Sequence, residues 1–299
     1  KSVWEYKQDW GNLTERIGFW LDMKHSYITY ETPYIETLWR IIQTFWQKGL
    51  LYKGHKVVPY CSRCGTSLSS HELAQGYKEV EDQSLYVKFK LKPGQNIGDF
   101  VTDNSTYILS WTTTPWTLPG NVALAVNPVI PYVLCQKDSE YYILAQDLAK
   151  SVLGEYKVVR ALKGADLVGL TYEPLFNIPA LRNEKSYKIY TADFVTTTDG
   201  TGVVHIAVMY GEDDYTIGVK VGLPKHHTVT ETGVFTNEVP GQFAGLPVKT
   251  KETDDKIFAY LKENNTFLMV QPYSHEYPFC WRCSTPLLYY AKDSWFLNM

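Results

Sequence analysis

Between residues 31 and 50, apolar side chains return every three or four positions, at Ile35, Leu38, Ile41, Ile42 and Phe45, the period of a helix with one apolar stripe. Thr32 can cap such a helix, Pro33 suits its first turn and Gly49 ends it. From Ser84 onward the rhythm becomes alternation, in 85–90, 107–110, 132–135 and 141–144, with Gly, Pro, Asn and Asp clusters between the runs. That is the rhythm of strands. Further short strands are expected at 157–160, 188–190 and 202–207, and brief helices near 147–153 and 254–263. Many short strands with few helices predict a mixed α and β chain dominated by a β-barrel with peripheral helices. From Gln271 the chain returns to the Pro, aromatic and Cys residues seen before Ser84. The two ends are therefore expected to form one module, 1–83 with 271–299, a helical connector with a zinc-ribbon-like base. Residues 84–270 would then form the barrel.

A chain of 299 residues exceeds one average domain and can bury a sizeable core without disulfides. Its net charge of -3 and pI near 6.2 give no global basic signal, although averages can hide a basic patch. No run of eighteen apolar residues and no basic-then-apolar leader is present, so a cytoplasmic protein with no membrane partner is expected. The chain starts at Lys1 and stops just beyond the aromatic pair Trp295-Phe296, which suggests an excised fragment.

Cys61-Ser62-Arg63-Cys64 and Cys280-Trp281-Arg282-Cys283 are two C-x-x-C knuckles. Four thiolates so arranged can hold a tetrahedral structural zinc at about 2.3 Å per bond, and Gly65 eases the turn after the first pair. The long separation implies that the barrel is inserted between the knuckles. Cys135, inside an alternating run, is expected in the core.

The segment from Trp111 through Thr112, Thr113, Thr114 and Thr117 to Asn121 offers four hydroxyls and an amide but no strong base, on a chain that Pro115 and Pro119 are expected to hold extended. By propensity alone it is a Thr-rich edge strand. Far along the chain, Gly200 to His205 is a turn into a strand, and Gly211-Glu212-Asp213-Asp214-Tyr215 is a place for a helix to begin. Taken singly, His205 suits a hydrogen-bonded structural histidine and the acidic pair suits a cap.

Together, the threonine segment, Gly200 to His205 and the Gly-x-Asp-Asp run resemble the editing domain inserted into class I tRNA synthetases for isoleucine, valine and leucine. The resemblance covers nearly the whole chain, and segments 17–23 and 34–39 look isoleucyl rather than valyl. It implies hydrolysis of the ester on a misacylated isoleucine tRNA, chiefly the valyl ester, with the tRNA 3′ end and the rest of the synthetase as partners. It also implies the roles of particular residues. Asp214 would hold the α-ammonium group, and His205 would line the pocket where a branch longer than valine clashes. Thr112, Thr113, Thr114 and Asn121 would position the ester, the terminal ribose and the water, beside Trp111 and Thr117. No metal is needed for that hydrolysis. The family usually continues after the histidine with x-Ala-Pro, where this chain has Ile206-Ala207-Val208. Neither signature of the amino-acid-activating site, His-x-Gly-His or Lys-Met-Ser-Lys-Ser, is present, so editing without aminoacylation is expected.

Three other readings stand beside it. The valyl counterpart would remove threonine. A zinc-stabilised RNA-binding module without catalysis would use the aromatic residues, 15% of the chain, as stacking platforms. A zinc-dependent hydrolase would need an open coordination position, which an all-cysteine site does not leave.

Overall fold

The structure, a computed structural model, describes residues 2–299, with side chains from residue 4 onward. In chain order the elements are α1 (Ser2–Glu5), α2 (Lys7–Arg16), α3 (Thr32–Gln47), β1 (Leu51–Cys61), β2 (Thr66–Ser67), α4 (Ser70–Ala74), β3 (Tyr77–Lys90), β4 (Asn96–Ile97) and β5 (Phe100–Val101). Next come β6 (Thr106–Thr112), β7 (Ala123–Val126), β8 (Pro131–Lys137), β9 (Glu140–Ala145), α5 (Gln146–Leu153), β10 (Lys157–Lys163), β11 (Lys188–Thr191) and β12 (Val203–Ile206). The chain closes with α6 (Glu212–Val221), α7 (Lys251–Glu263), β13 (Phe267–Pro278) and β14 (Leu288–Leu297). It forms two compact units, one of residues 1–54 with 293–299 and the other of residues 55–292.

In the first unit the expected helix is α3, but Glu31 rather than Thr32 stands at its N-cap, with Pro33 in its first turn. Gly49, at φ +67°, follows its end. Its apolar stripe is uncovered within the unit: Ile35, Leu38 and Ile41 are all exposed.

The second unit is built on a six-stranded sheet in the order β10-β8-β9-β6-β3-β13. Alternation along its strands sorts side chains to two faces. Leu85, Val87, Phe89, Ile108, Leu134 and Ile143 enter the main core. Tyr86, Tyr107, Leu109, Val133, Cys135 and Leu144 pack with Ala149, Val152 and Leu153 of α5. Both faces are thus covered, and each fully buried large apolar side chain contributes about 1.5–3 kcal/mol.

The expected β-barrel is not what forms: the fold is mixed α and β, and none of the described sheets closes on itself. The cause lies after β6. A 3₁₀ helix over Pro115–Gly120 carries the chain out of the large sheet, so β7 starts a separate three-stranded sheet in the order β11-β7-β12. The two sheets meet at a seam bridged by isolated hydrogen bonds instead of a ladder. Ser110 Oγ donates to the Val203 carbonyl at 2.8 Å, and the Ala145 N–H donates to the Thr201 carbonyl at 2.8 Å.

Candidate functional site

Thr112 ends β6, and the prolines beyond it do not hold the chain extended: they sit in the 3₁₀ helix. Pro115 takes its first position, where the missing N–H costs nothing. This curl gathers the hydroxyls. Thr112 Oγ1 accepts from the Thr114 N–H at 3.0 Å and lies 3.2 Å from Thr114 Oγ1, which is 3.5 Å from Thr117 Oγ1. Thr117 spends its proton on the Thr114 carbonyl at 2.8 Å. His205 Nε2 lies 3.1 Å from Thr117 Oγ1; with the Thr117 proton already committed, Nε2 is assigned as the donor, which leaves Nδ1 as an acceptor. Nδ1 is buried and has no partner among the described residues. Burial also pushes the imidazole down to about 4, so His205 is an uncharged wall at neutral pH. The segment is not an edge strand either, since β6 lies between β9 and β3.

Across from it, α6 starts at Gly211 with Glu212, Asp213 and Asp214 in its first turn, where negative charge is favoured. Asp214 Oδ1 accepts from the Ala207 N–H at 2.7 Å. The carboxyl folds back over Gly211 so closely that a Cβ there would lie 2.2 Å from Oδ2. The residue keeps some accessible surface, yet burial raises its carboxyl to about 7, against the opposing pull of the Ala207 N–H.

These residues converge. Trp111, Thr112, Thr113, Thr114, Thr117, His205 and Asp214 all line one cavity of about 260 Å³. Val204, Ala207 and Tyr210 complete it. None of these three was expected to line the site, although the run 200–211 that contains them all was the signal. Thr113 makes no side-chain hydrogen bond among the described residues and is free to meet a ligand. Asn121 is not in the cavity. It is 4% exposed, accepts from the Tyr172 hydroxyl at 2.7 Å and donates to the Ala123 carbonyl at 2.9 Å, so its amide braces the turn from behind. Val208, in place of the usual proline, is buried against Gly218, where a Cβ would come within 2.6 Å of it. Chemically, the cavity offers one carboxylate for a cation, free and linked hydroxyls for an ester or water, and a neutral apolar wall.

The four knuckle cysteines lie at a separate place in this unit. Their sulfurs all fall within 4.8 Å of one another, with Cys61–Cys283 at 3.6 Å, Cys64–Cys283 at 3.5 Å and Cys64–Cys280 at 4.0 Å. A tetrahedron of sulfurs with bonds of about 2.3 Å has edges of about 3.8 Å, so the set fits one metal ion. Leu68 and Leu287 back Cys61 and Cys280, the Cys64 N–H points to Cys61 Sγ at 3.4 Å, and Gly65 turns at φ +65°. Cys135 sits in the core as expected, where burial pushes its thiol up to about 12.

The family described as tRNA synthetases class I (I, L, M and V) matches residues 1–299. The chain belongs to the class I tRNA synthetases. This synthetase chain is 50% identical over 299 residues to an isoleucine–tRNA ligase of Clostridium novyi and 47% identical over 302 residues to one of Bacillus thuringiensis, matching along its whole length in both cases. It spans 28% of the length of those relatives. Among solved structures, GlLeuRS-CP1 aligns with 65% of the synthetase chain and all of its own, at 17% identity and a TM-score of 0.48. Among the described residues of the synthetase chain, no helix is long and apolar enough to cross a membrane.

Proposed function

We propose that this chain is the editing part of an isoleucyl enzyme and hydrolyses the ester of isoleucine tRNA carrying the wrong amino acid, chiefly valine, in the cytoplasm. The observation that carries the reading is the meeting of Thr113, the linked Thr112–Thr114–Thr117 hydroxyls, His205 and Asp214 in one cavity of about 260 Å³. The α-ammonium group pairs with the Asp214 carboxylate through a charge-assisted hydrogen bond. Thr113 and Thr114 then orient the ester carbonyl and the attacking water, and stabilise the charge that develops on oxygen. Asn121 acts at one remove by fixing the turn.

Selection falls to the wall. One missing methylene is worth only about 1–3 kcal/mol to a binding pocket, a value established on isoleucyl enzymes themselves and not read from this structure. Binding alone therefore leaves errors for hydrolysis to remove. His205, locked by Thr117 and uncharged, sets the depth of the pocket. The rest of the synthetase completes the tRNA contact. The layout proposed is a zinc-ribbon-like base from 1–83 and 271–299 around the hydrolytic region 84–270, with zinc stabilising the four cysteines and taking no part in the reaction.

The test compares isoleucine tRNA charged with valine or with isoleucine. The valyl ester is expected to be lost and the isoleucyl ester kept, while His205→Ala loses both. Survival of both esters with the wild-type chain sinks the reading. Gly211→Ala supplies an independent check. Its methyl displaces the Asp214 carboxylate, so hydrolysis should fall about tenfold, while weakening of the bond from the Ala207 N–H costs no more than about 1–3 kcal/mol of stability and leaves the chain folded. Unchanged hydrolysis in that variant would remove Asp214 from the proposed role.

A further inference from the structure

The four knuckle sulfurs lie together but do not face the same surroundings. Cys61 and Cys280 are 0% and 1% exposed and are backed by Leu68 and Leu287. Cys64 is exposed and Cys283 is half-buried, so the cluster has a closed side and an open side. Each side draws one sulfur from each knuckle, because the first cysteine of each C-x-x-C is the covered one. The two open sulfurs stand 3.5 Å apart, against 4.0 Å from Cys64 to the covered Cys280. Cys283 is also 3.6 Å from Cys61, but that sulfur is out of reach of solvent. The Thr285 hydroxyl oxygen, 3.3 Å from Cys283 Sγ, donates to the sulfur once it is a thiolate.

Such an open pair has a chemistry of its own. Peroxides attack thiolates that are exposed, and a second thiolate beside the first turns the initial product into a disulfide. A metal held here would keep all four sulfurs in that reactive, deprotonated form. A disulfide places its sulfurs about 2.05 Å apart, so this pair has to close by roughly 1.5 Å on the side that meets solvent.

We propose that Cys64 and Cys283 are a peroxide-oxidisable pair that closes to a disulfide and gives up the metal. The Cys64 thiolate attacks one peroxide oxygen, the O–O bond breaks, hydroxide leaves and the sulfur becomes a sulfenic acid. The Cys283 thiolate then attacks that sulfur, the S–OH bond breaks and a second hydroxide leaves. Two thiolates have lost two electrons, and one peroxide has become two hydroxides. Only Cys61 and Cys280 remain as ligands, too few for a tetrahedral structural site. The new bond joins residues 64 and 283, so the knuckles stay linked as the metal goes. Thiol reductant and zinc together reverse the change.

The experiment treats the zinc-loaded wild-type chain with hydrogen peroxide beside a zinc-sensitive dye and maps its cysteines by mass spectrometry. One zinc should leave per disulfide formed, from a chain lighter by two hydrogens. The peptides carrying Cys64 and Cys283 should be joined, with Cys135 unmodified in its buried place. Dithiothreitol and zinc should restore the starting mass and metal content. Cys135→Ala should behave as wild type, whereas Cys64→Ala should leave Cys283 outside any disulfide. The mapping is read on the wild-type chain and stands whether or not Cys64→Ala folds. A cross-link through Cys61 or Cys280, sulfinic or sulfonic acid at Cys64 without a cross-link, or zinc retained at full oxidation overturns the proposal. If the purified chain carries no zinc, the same Cys64–Cys283 cross-link supports the oxidisable pair and only the zinc assignment falls. Neither result bears on the hydrolytic reading.

Discussion

Replacing Asp214 by Asn should cut hydrolysis of the valyl ester at pH 7.5 by about 10–100-fold, because a hydrogen bond to a charged partner is worth about 1.5–3 kcal/mol. The amide can still accept from the Ala207 N–H, so the change removes charge and little else. The wild-type rate should climb with pH toward about 7, where the buried carboxyl ionises. It should fall again above about pH 8 as the α-ammonium loses its proton. The Asn variant should lose the acid limb. Stability moves the other way. The carboxyl titrates in the folded chain at about 7, above its ordinary 3.8. Its contribution to stability is therefore full below 3.8 and is lost as pH rises through about 7. At pH 8 the Asn variant should be more stable than wild type by about 1–3 kcal/mol, a range reduced for the surface that Asp214 keeps. A variant that hydrolyses normally, with an unchanged acid limb, would contradict the role assigned to this carboxylate.

The cysteine set should govern stability and leave the reaction alone. One equivalent of zinc is expected per chain, and cobalt in its place should give the absorption bands of a tetrahedral thiolate site. Cys280→Ser, or prolonged chelation, should lower the melting temperature by on the order of 10 °C, the effect of roughly 3 kcal/mol or more in a unit of this size. Hydrolysis by the protein that remains folded should continue, since four protein ligands leave no position for a substrate water. Four freely titrating thiols with no bound metal would refute the zinc assignment. Loss of hydrolysis ahead of unfolding would make the metal part of the reaction.

How far the sequence could be read depended on the kind of signal. Alternation from Leu85 to Lys90 marks a strand in any setting, and that run lies within β3. Whether a sheet closes is decided elsewhere. Both faces here are apolar because α5 covers one and the main core the other, and alternation cannot distinguish that from a barrel wall. Pro115 and Pro119 were ambiguous for a local reason, since proline suits an extended chain and the start of a helix equally well. Asn121 resembles a ligand-facing amide in sequence, and only the positions of Tyr172 and Ala123 turn it inward. Asp214 and His205 stood out because whole motifs surround them.

If the chain edits as proposed, the seam between the sheets bears on how its accuracy can drift. Thr112 belongs to the large sheet and His205 to the small one, so the pocket's gauge is a spacing between two plates held by a few rivets near Ser110 and Val203. Substitutions at those rivets touch no ligand, yet they would widen or narrow the sieve. On that proposed reading, selectivity would be tunable from positions that do not line the pocket.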